Sequence, residues 1–230
     1  MSTWFTERVT CPACHTEQDA RLAHGVHASR APEVREQVLS RTFHRITCTR
    51  CSVRFVVNRE LVYTDMDRRH WLQVGFSDHR PRWPELEAMA VRTFERAFIG
   101  SPLAAELRER FKVRLVFGVE ELREKLAIWR AGLDDAVVEC AKLMMCARVP
   151  ELALVPRMIV DTIDDKGLTV SCVDDSDAVT SQFVISTTVM DDLGNRHDEL
   201  VRYLPELFSG TFVSTYRLLG HRYRLPSSWS

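Results

Sequence analysis

Lysine is scarce in this chain: four lysines stand against 27 arginines in 230 residues. Net charge is also scarce, at −1, so no global field draws the chain toward nucleic acid or a membrane surface. No apolar run approaches the roughly 18 residues that would suggest a membrane span. The opening MSTWFTERVTCPAC lacks a basic stretch followed by an apolar one, so the expected compartment is cytoplasmic and reducing. There is no G-x-S-x-G elbow, no P-loop and no H-E-x-x-H, so no enzyme class has a positive signal. With 45% hydrophobic residues the chain can bury a core of its own, without depending on metal alone.

What the sequence does hold is cysteine, seven in all, which in a reducing compartment point to metal or redox use rather than disulfides. Cys11 and Cys14 form one C-x-x-C, and Cys48 and Cys51 form another. Each two-residue spacer makes a tight knuckle in which two thiolates converge on one ion. Two knuckles supply the four soft ligands in tetrahedral geometry that suit a structural Zn²⁺. Such a site is closed, with no open position for substrate. Two other readings attach to the first pair. Cys11 to His15 has the c-type haem spacing, which needs export and leaves the second pair unexplained. Cys-Pro-Ala-Cys is a possible thiol redox pair, but the polar HTEQDA that follows has no helical periodicity. Cys140, Cys146 and Cys172 lie in apolar patterns and read as core thiols.

Hydrophobic spacing predicts a knuckle-like, polar segment over 1–20 and a loop or short strand over 21–31. A short helix follows Pro32, with Val34, Val38 and Leu39 on one side. VRFVVN and ELVYTD read as strands joined by a turn at Asn58 and Arg59, with HWLQVGF a third. A helix follows Pro84, with Leu86, Ala90, Phe94, Ala97 and Phe98 at helical spacing, and a break with a new helix start is expected at Gly100-Ser-Pro. FKVRLVFG is an alternating strand. The next helix sets Val119, Leu122, Leu126 and Trp129 on one face and charges on the other, with Glu121 and Lys125 four apart as a supporting pair. Gly132 closes that helix, and Asp134 with Asp135 starts another. The stretch 136–149 is apolar almost all round, so that helix is expected to be buried or to pair two subunits. Beyond Pro150 the runs MIVDTI, LTVSCV, SQFVISTTVM and TFVSTYRLL read as strands, with a short helix at DELVRYL.

In the order CPAC, CTRC, ELVYTD and GVEELREKLAIWRAGLDDAVVECAKL, the chain resembles a bacterial family of CpXC proteins over about residues 9–148. The resemblance implies a zinc-ribbon-like cysteine site joined to an α+β body, and implies no activity. The glycine usual in that family after each cysteine pair is His15 here and Ser52 there, and Thr49 stands where proline is usual.

The expected architecture is therefore α+β: a zinc-ribbon-like N-terminal element on an α+β body (1–149), then a β-rich C-terminal extension (150–230). The expected metal ligands are Cys11, Cys14, Cys48 and Cys51, holding structural Zn²⁺, with no catalytic residue. The favoured role is a protein-interaction or adaptor module, with an unidentified protein partner or a second copy of the chain, and no membrane. Two alternatives remain: a nucleic-acid-associated regulator and a thiol redox protein using Cys11 and Cys14. The first rests on residues 20–59, which carry eight arginines against Glu33 and Glu36. No aromatic stacking motif accompanies that charge, and a solvated surface explains it more simply. His24, His27 and His44 read as surface or hydrogen-bonding histidines. Asp65, Asp67 and His70 could form a hard-metal or acid–base site, but a turn after a strand accounts for them as well.

Overall fold

A computed structural model describes residues 2–98, 106, 109–175 and 177–220. The break expected at Gly100-Ser-Pro lies outside those residues. The chain divides into two units, Met1–Arg123 and Glu124–Ser230.

The first unit is built on a five-stranded sheet of order β1-β2-β5-β6-β7. Its strands are β1 (Thr3–Thr10), β2 (Glu17–His27), β5 (Leu61–Asp65), β6 (His70–Gly75) and β7 (Lys112–Phe117). Strands β1–β2 and β5–β6 pair antiparallel, whereas β2–β5 and β6–β7 pair parallel. Parallel neighbours need long crossovers, and the chain supplies two. One carries helix α1 (Pro32–Leu39) and the small β3 (Arg45–Thr47)–β4 (Arg54–Val56) hairpin; the other carries helix α2 (Trp83–Ala97). Helix α1 buries Val34 and Val38, and α2 buries Leu86, Ala90 and Phe94, the spacing read from the sequence. Phe94 meets Trp71 of β6 edge-on at 5.4 Å between ring centroids.

Two sequence expectations are corrected here. Residues 3–10 and 17–27 are long strands: the knuckle expected over 1–20 is confined to the 11–16 loop between them, and the loop or short strand expected over 21–31 is the end of an eleven-residue strand. Their patterning is hidden because β1 has a single buried position, Val9, along its length. The β4 run does not form a hairpin with β5. It pairs with β3, and the Asn58 side chain accepts a hydrogen bond from the Val119 amide at 3.2 Å instead of making a tight turn.

The division between units falls inside helix α3 (Gly118–Arg130). Gly118 opens it at φ +80°, where an added Cβ would lie 2.7 Å from the Ser77 hydroxyl. The expected Glu121–Lys125 pair does not form: Glu121 pairs with Arg80, and Lys125 with Asp135 at 3.2 Å. Nor do all the charges of α3 face solvent: Arg123, Glu124 and Lys125 are buried.

The second unit holds a three-stranded antiparallel sheet, β10 (Val179–Ser186), β9 (Gly167–Val173) and β8 (Arg157–Asp164). Helix α4 (Asp135–Arg148) packs with it, capped by Asp134, whose Oδ1 accepts from the Ala136 amide at 2.8 Å. Cys140, Cys146 and Cys172 are buried core thiols. The C-terminal part is mixed rather than β-rich. SQFVISTTVM leaves the sheet at Ser186, whose hydroxyl caps helix α5 (Thr187–Asn195). Short helices α6 (His197–Tyr203), α7 (Pro205–Ser209) and α8 (Tyr216–Leu219) follow, the last where TFVSTYRLL reads as a strand. There the Thr215 amide donates to Glu139 Oε2 at 2.7 Å, which fixes the backbone onto α4 instead of a ladder. Among the described residues, no helix is long and apolar enough to cross a membrane.

Candidate metal centre

Each C-x-x-C is the turn of a β-hairpin. Residues 11–16 join β1 to β2 between the pair Thr10 and Glu17, and residues 48–53 join β3 to β4 between Thr47 and Arg54. The two loops have the same length and the same bonds. The amide of His15 donates to Cys11 O at 3.0 Å, and Ser52 to Cys48 O at 3.0 Å. Cys11 donates to Thr16 O, and Cys48 to Val53 O, both at 2.9 Å. His15 and Ser52 both adopt left-handed backbone, at φ 57° and 60°. This is the conformation for which glycine has no steric cost.

The hairpins are held together beneath the loops. Val9, Ala20 and Leu22 of β1–β2 pack against Ile46, Phe55 and Val57. Gln18 bridges them above, its Oε1 accepting from the Thr49 amide at 2.9 Å and its Nε2 donating to Thr47 O at 3.1 Å. The outcome is convergence of all four expected ligands: Cys11, Cys14, Cys48 and Cys51 have sulfurs within 4.8 Å of one another. The closest pairs cross between loops, Cys11 to Cys51 at 3.7 Å and Cys14 to Cys48 at 3.6 Å. Four thiolates about 2.3 Å from a tetrahedral ion are separated by about 3.8 Å, so the cluster can hold a metal ion with little rearrangement.

The electrostatics argue for a cation. The hydroxyl and amide of Thr16 hold the Cys14 thiol down to about 6. Backbone amides of Cys51 and Arg50 also lower Cys48. At Cys51 the Val53 amide pulls down, but the neighbouring sulfurs outweigh it and push this thiol up to about 12. The cluster sheds a first proton easily and resists losing the last, because negative sulfurs crowd together. A bound cation removes that conflict.

The remaining candidates are placed elsewhere. His44 is buried with both ring nitrogens engaged: Nε2 accepts from the Ala23 amide at 2.8 Å, so Nδ1 carries the proton toward Val57 O at 3.3 Å. Burial pushes it down to about 4, leaving a neutral ring stacked 3.9 Å from Phe43. His24 pairs with Glu7, and the His27 amide donates to the Ser2 hydroxyl at 3.0 Å. Asp65 and His70 are cross-strand partners, while Asp67 is exposed. Asp65 accepts from the Ser29 hydroxyl (3.2 Å) and the Arg68 amide (3.1 Å), which braces the turn. The first pair opens no helix, unlike a thioredoxin-type site. Sequence reading missed Thr16 and Gln18, since nothing in a polar HTEQD run marks residues that serve sulfurs or a neighbouring loop.

A family model described as CpXC protein matches residues 9–142. No curated protein and no solved structure matches the chain.

Proposed function

The chain belongs to the CpXC family, and we propose that its four-cysteine cluster is a structural zinc centre of ribbon type in a cytoplasmic module that works by binding a protein partner. The observation that carries the zinc reading is the matched pair of hairpin loops whose sulfurs converge within 4.8 Å. All-sulfur donation suits Zn²⁺ over hard cations such as Mg²⁺ or Ca²⁺. Bound there, zinc supplies charge neutralisation and a covalent tie between two hairpins. Cys11 and Cys14 anchor the β1–β2 end, and Cys48 and Cys51 the β3–β4 end. Four protein ligands leave no open coordination position, which supports a binding role over a hydrolytic one.

Metal analysis of the purified chain tests this. The expected result is about one zinc per chain, lost in Cys11→Ser and in Cys48→Ser. Cobalt substitution should give the visible absorption of a tetrahedral thiolate site. Chelation should raise amide exchange first in β1–β4. Protein that carries no zinc, with Cys11 and Cys14 freely alkylated in the presence of added zinc, would overturn the reading and favour thiol redox chemistry. Light scattering on the loaded protein reports whether a second copy is the partner.

A further inference from the structure

The eight arginines of residues 20–59 fall into two groups. Arg35, Arg41 and Arg59 are matched with Glu36 at 3.1 Å, Glu120 at 3.2 Å and Glu7 at 2.6 Å. Arg21, Arg30, Arg45, Arg50 and Arg54 are exposed, and among the described residues none lies within ion-pair distance of a carboxylate.

Four of these, Arg21, Arg45, Arg50 and Arg54, belong to the two hairpins of the first unit. The β3–β4 register pairs Arg45 with Val56 and Thr47 with Arg54, so Arg45, Thr47 and Arg54 project from one face of the hairpin. The opposite face carries Ile46 and Phe55, which pack on Val9, Ala20 and Leu22. Arg45 and Arg54 are diagonal neighbours, about 7–8 Å apart, and Arg50 sits on the loop that continues the hairpin. Arg45 alone of these also lines an open cavity of about 450 Å³, with Trp4, Arg21, Glu33, Gln37, Thr42 and Ile46 among its other lining residues. The Arg21 guanidinium lies 5.4 Å over the Trp4 ring. Phe43 and His44 hold that ring edge-on from below, at 6.2 and 6.3 Å.

We propose that this face binds single-stranded nucleic acid. Arg45, Arg50 and Arg54 take successive phosphates, and the cavity takes a base against the Trp4–Arg21 platform, with Gln37, Thr42 and Glu33 in reach of its polar edge. Unpaired guanidiniums lose no internal ion pair when they meet phosphate, and their planar forks match its oxygens. A stacked aromatic accepts any base, whereas an acidic peptide would leave the platform unused. A duplex keeps its bases in the stack, out of reach of the cavity. The proposal is independent of which metal the cysteines hold.

The test uses the full chain loaded with zinc and a labelled oligothymidylate of about 16 nucleotides, a length that covers one such site. Fluorescence anisotropy at low salt should show binding whose log–log salt slope is about −2 to −3, the value for three or four phosphates on a single strand. Arg45→Glu with Arg54→Glu should weaken binding at least tenfold and flatten the slope by about 1.4. Trp4→Ala should weaken it about tenfold with the slope unchanged. Arg92→Glu with Arg96→Glu, exposed arginines on α2, should change nothing. Zinc content and circular dichroism equal to the wild type separate these effects from misfolding. The proposal is overturned by no binding at low salt, an equal loss in the α2 variant, or a duplex of the same length bound as tightly. Competition by polyglutamate as effective as by unlabelled oligonucleotide would likewise sink it, by making the face a general polyanion surface.

Discussion

Lys142→Met puts the buried charges of the second unit to a quantitative test. Lys142 is 1% exposed, and its Nζ donates to Glu124 Oε1 at 2.7 Å, Glu139 Oε1 at 2.7 Å and Met158 O at 2.8 Å. Beside it Lys125 donates to Val213 O at 2.7 Å and lies 3.2 Å from Asp135 Oδ2. Three buried carboxylates, Glu124, Asp135 and Glu139, thus face two ammonium groups, and methionine fills the volume but leaves only one. Glu124 keeps the Val160 amide at 2.6 Å and Glu139 keeps the Thr215 amide at 2.7 Å, so the carboxylates stay buried rather than turning outward. Breaking a buried pair from one side costs about 3–5 kcal/mol. In a unit of this size that corresponds to roughly 10–20 °C in Tm. The pH dependence supplies a second readout. Burial pushes Glu124 up, but the charges of Lys142 and Lys125 outweigh it, and its pKa lies below the ordinary carboxylate value. A depressed pKa stabilises the fold above the unfolded value and loses that contribution as pH falls through the folded one. Without Lys142 burial dominates, the Glu124 pKa rises, and the sign reverses. The gap between wild type and variant should therefore narrow from about pH 7 to about pH 5. Urea melts followed by far-UV circular dichroism at both pH values measure it, and adding Glu124→Gln should recover part of the loss. A loss under about 1 kcal/mol, or a gap that widens on acidification, would refute the reasoning.

Two further substitutions probe the first unit. Tyr63 is fully buried, and its hydroxyl has no hydrogen-bond partner among the described residues. Tyr63→Phe should be neutral or stabilising by up to about 1–2 kcal/mol in thermal melts, and a clear loss would show that the hydroxyl holds a buried water. His15→Gly and Ser52→Gly relieve left-handed backbone at φ 57° and 60°. Each should stabilise the folded first unit by up to about 1 kcal/mol, read in urea melts at fixed metal loading, with metal affinity in competition with a chelator little changed because the turns are preorganised. A clear loss of stability in both variants would mean that the loops do not adopt this conformation.

Elements whose pattern has one clean face were legible in the sequence. Helix α2 shows Leu86, Ala90 and Phe94 at helical spacing, and Asp134 stands where a cap is needed before α4. The failures have a common cause, which is polar residues doing structural work. Strand β1 buries so little that TWFTERVT carries no alternation to read. Glu124 and Lys125 read as part of a charged face of α3, yet both are buried because each finds a partner on α4, Lys142 and Asp135. Helix α4 packs its apolar residues within its own unit, one of the two placements expected for it. The cysteine ligands were legible because soft-ligand spacing is a local signal. The Trp4–Arg21 platform was not, because it depends on two strands the sequence conceals.

The residues after each cysteine pair connect these levels. Read as sequence, His15 and Ser52 are departures from a glycine pattern, and His15 is what makes the haem spacing tempting. In the fold both occupy the same point of the same turn, each donating its amide back to the first cysteine of its pair at 3.0 Å. A non-glycine residue in that conformation costs about 1–2 kcal/mol, and here two turns carry it. Such strain persists where surrounding structure over-determines the backbone. The antiparallel ladders begin immediately after each loop, at Glu17 and Arg54, and the amides of Cys11 and Cys48 lock the far side at 2.9 Å. The loops therefore hold their shape through the hairpins that carry them. The hairpins in turn share one apolar cluster, Val9, Ala20 and Leu22 against Ile46, Phe55 and Val57. The four sulfurs are thus preorganised by hydrogen bonding and packing, and a metal bound there adds stability to a geometry the chain already favours. Glycine would occupy position 15 or 52 without steric cost, and His15, exposed just beyond Cys14, enters the turn through its backbone amide.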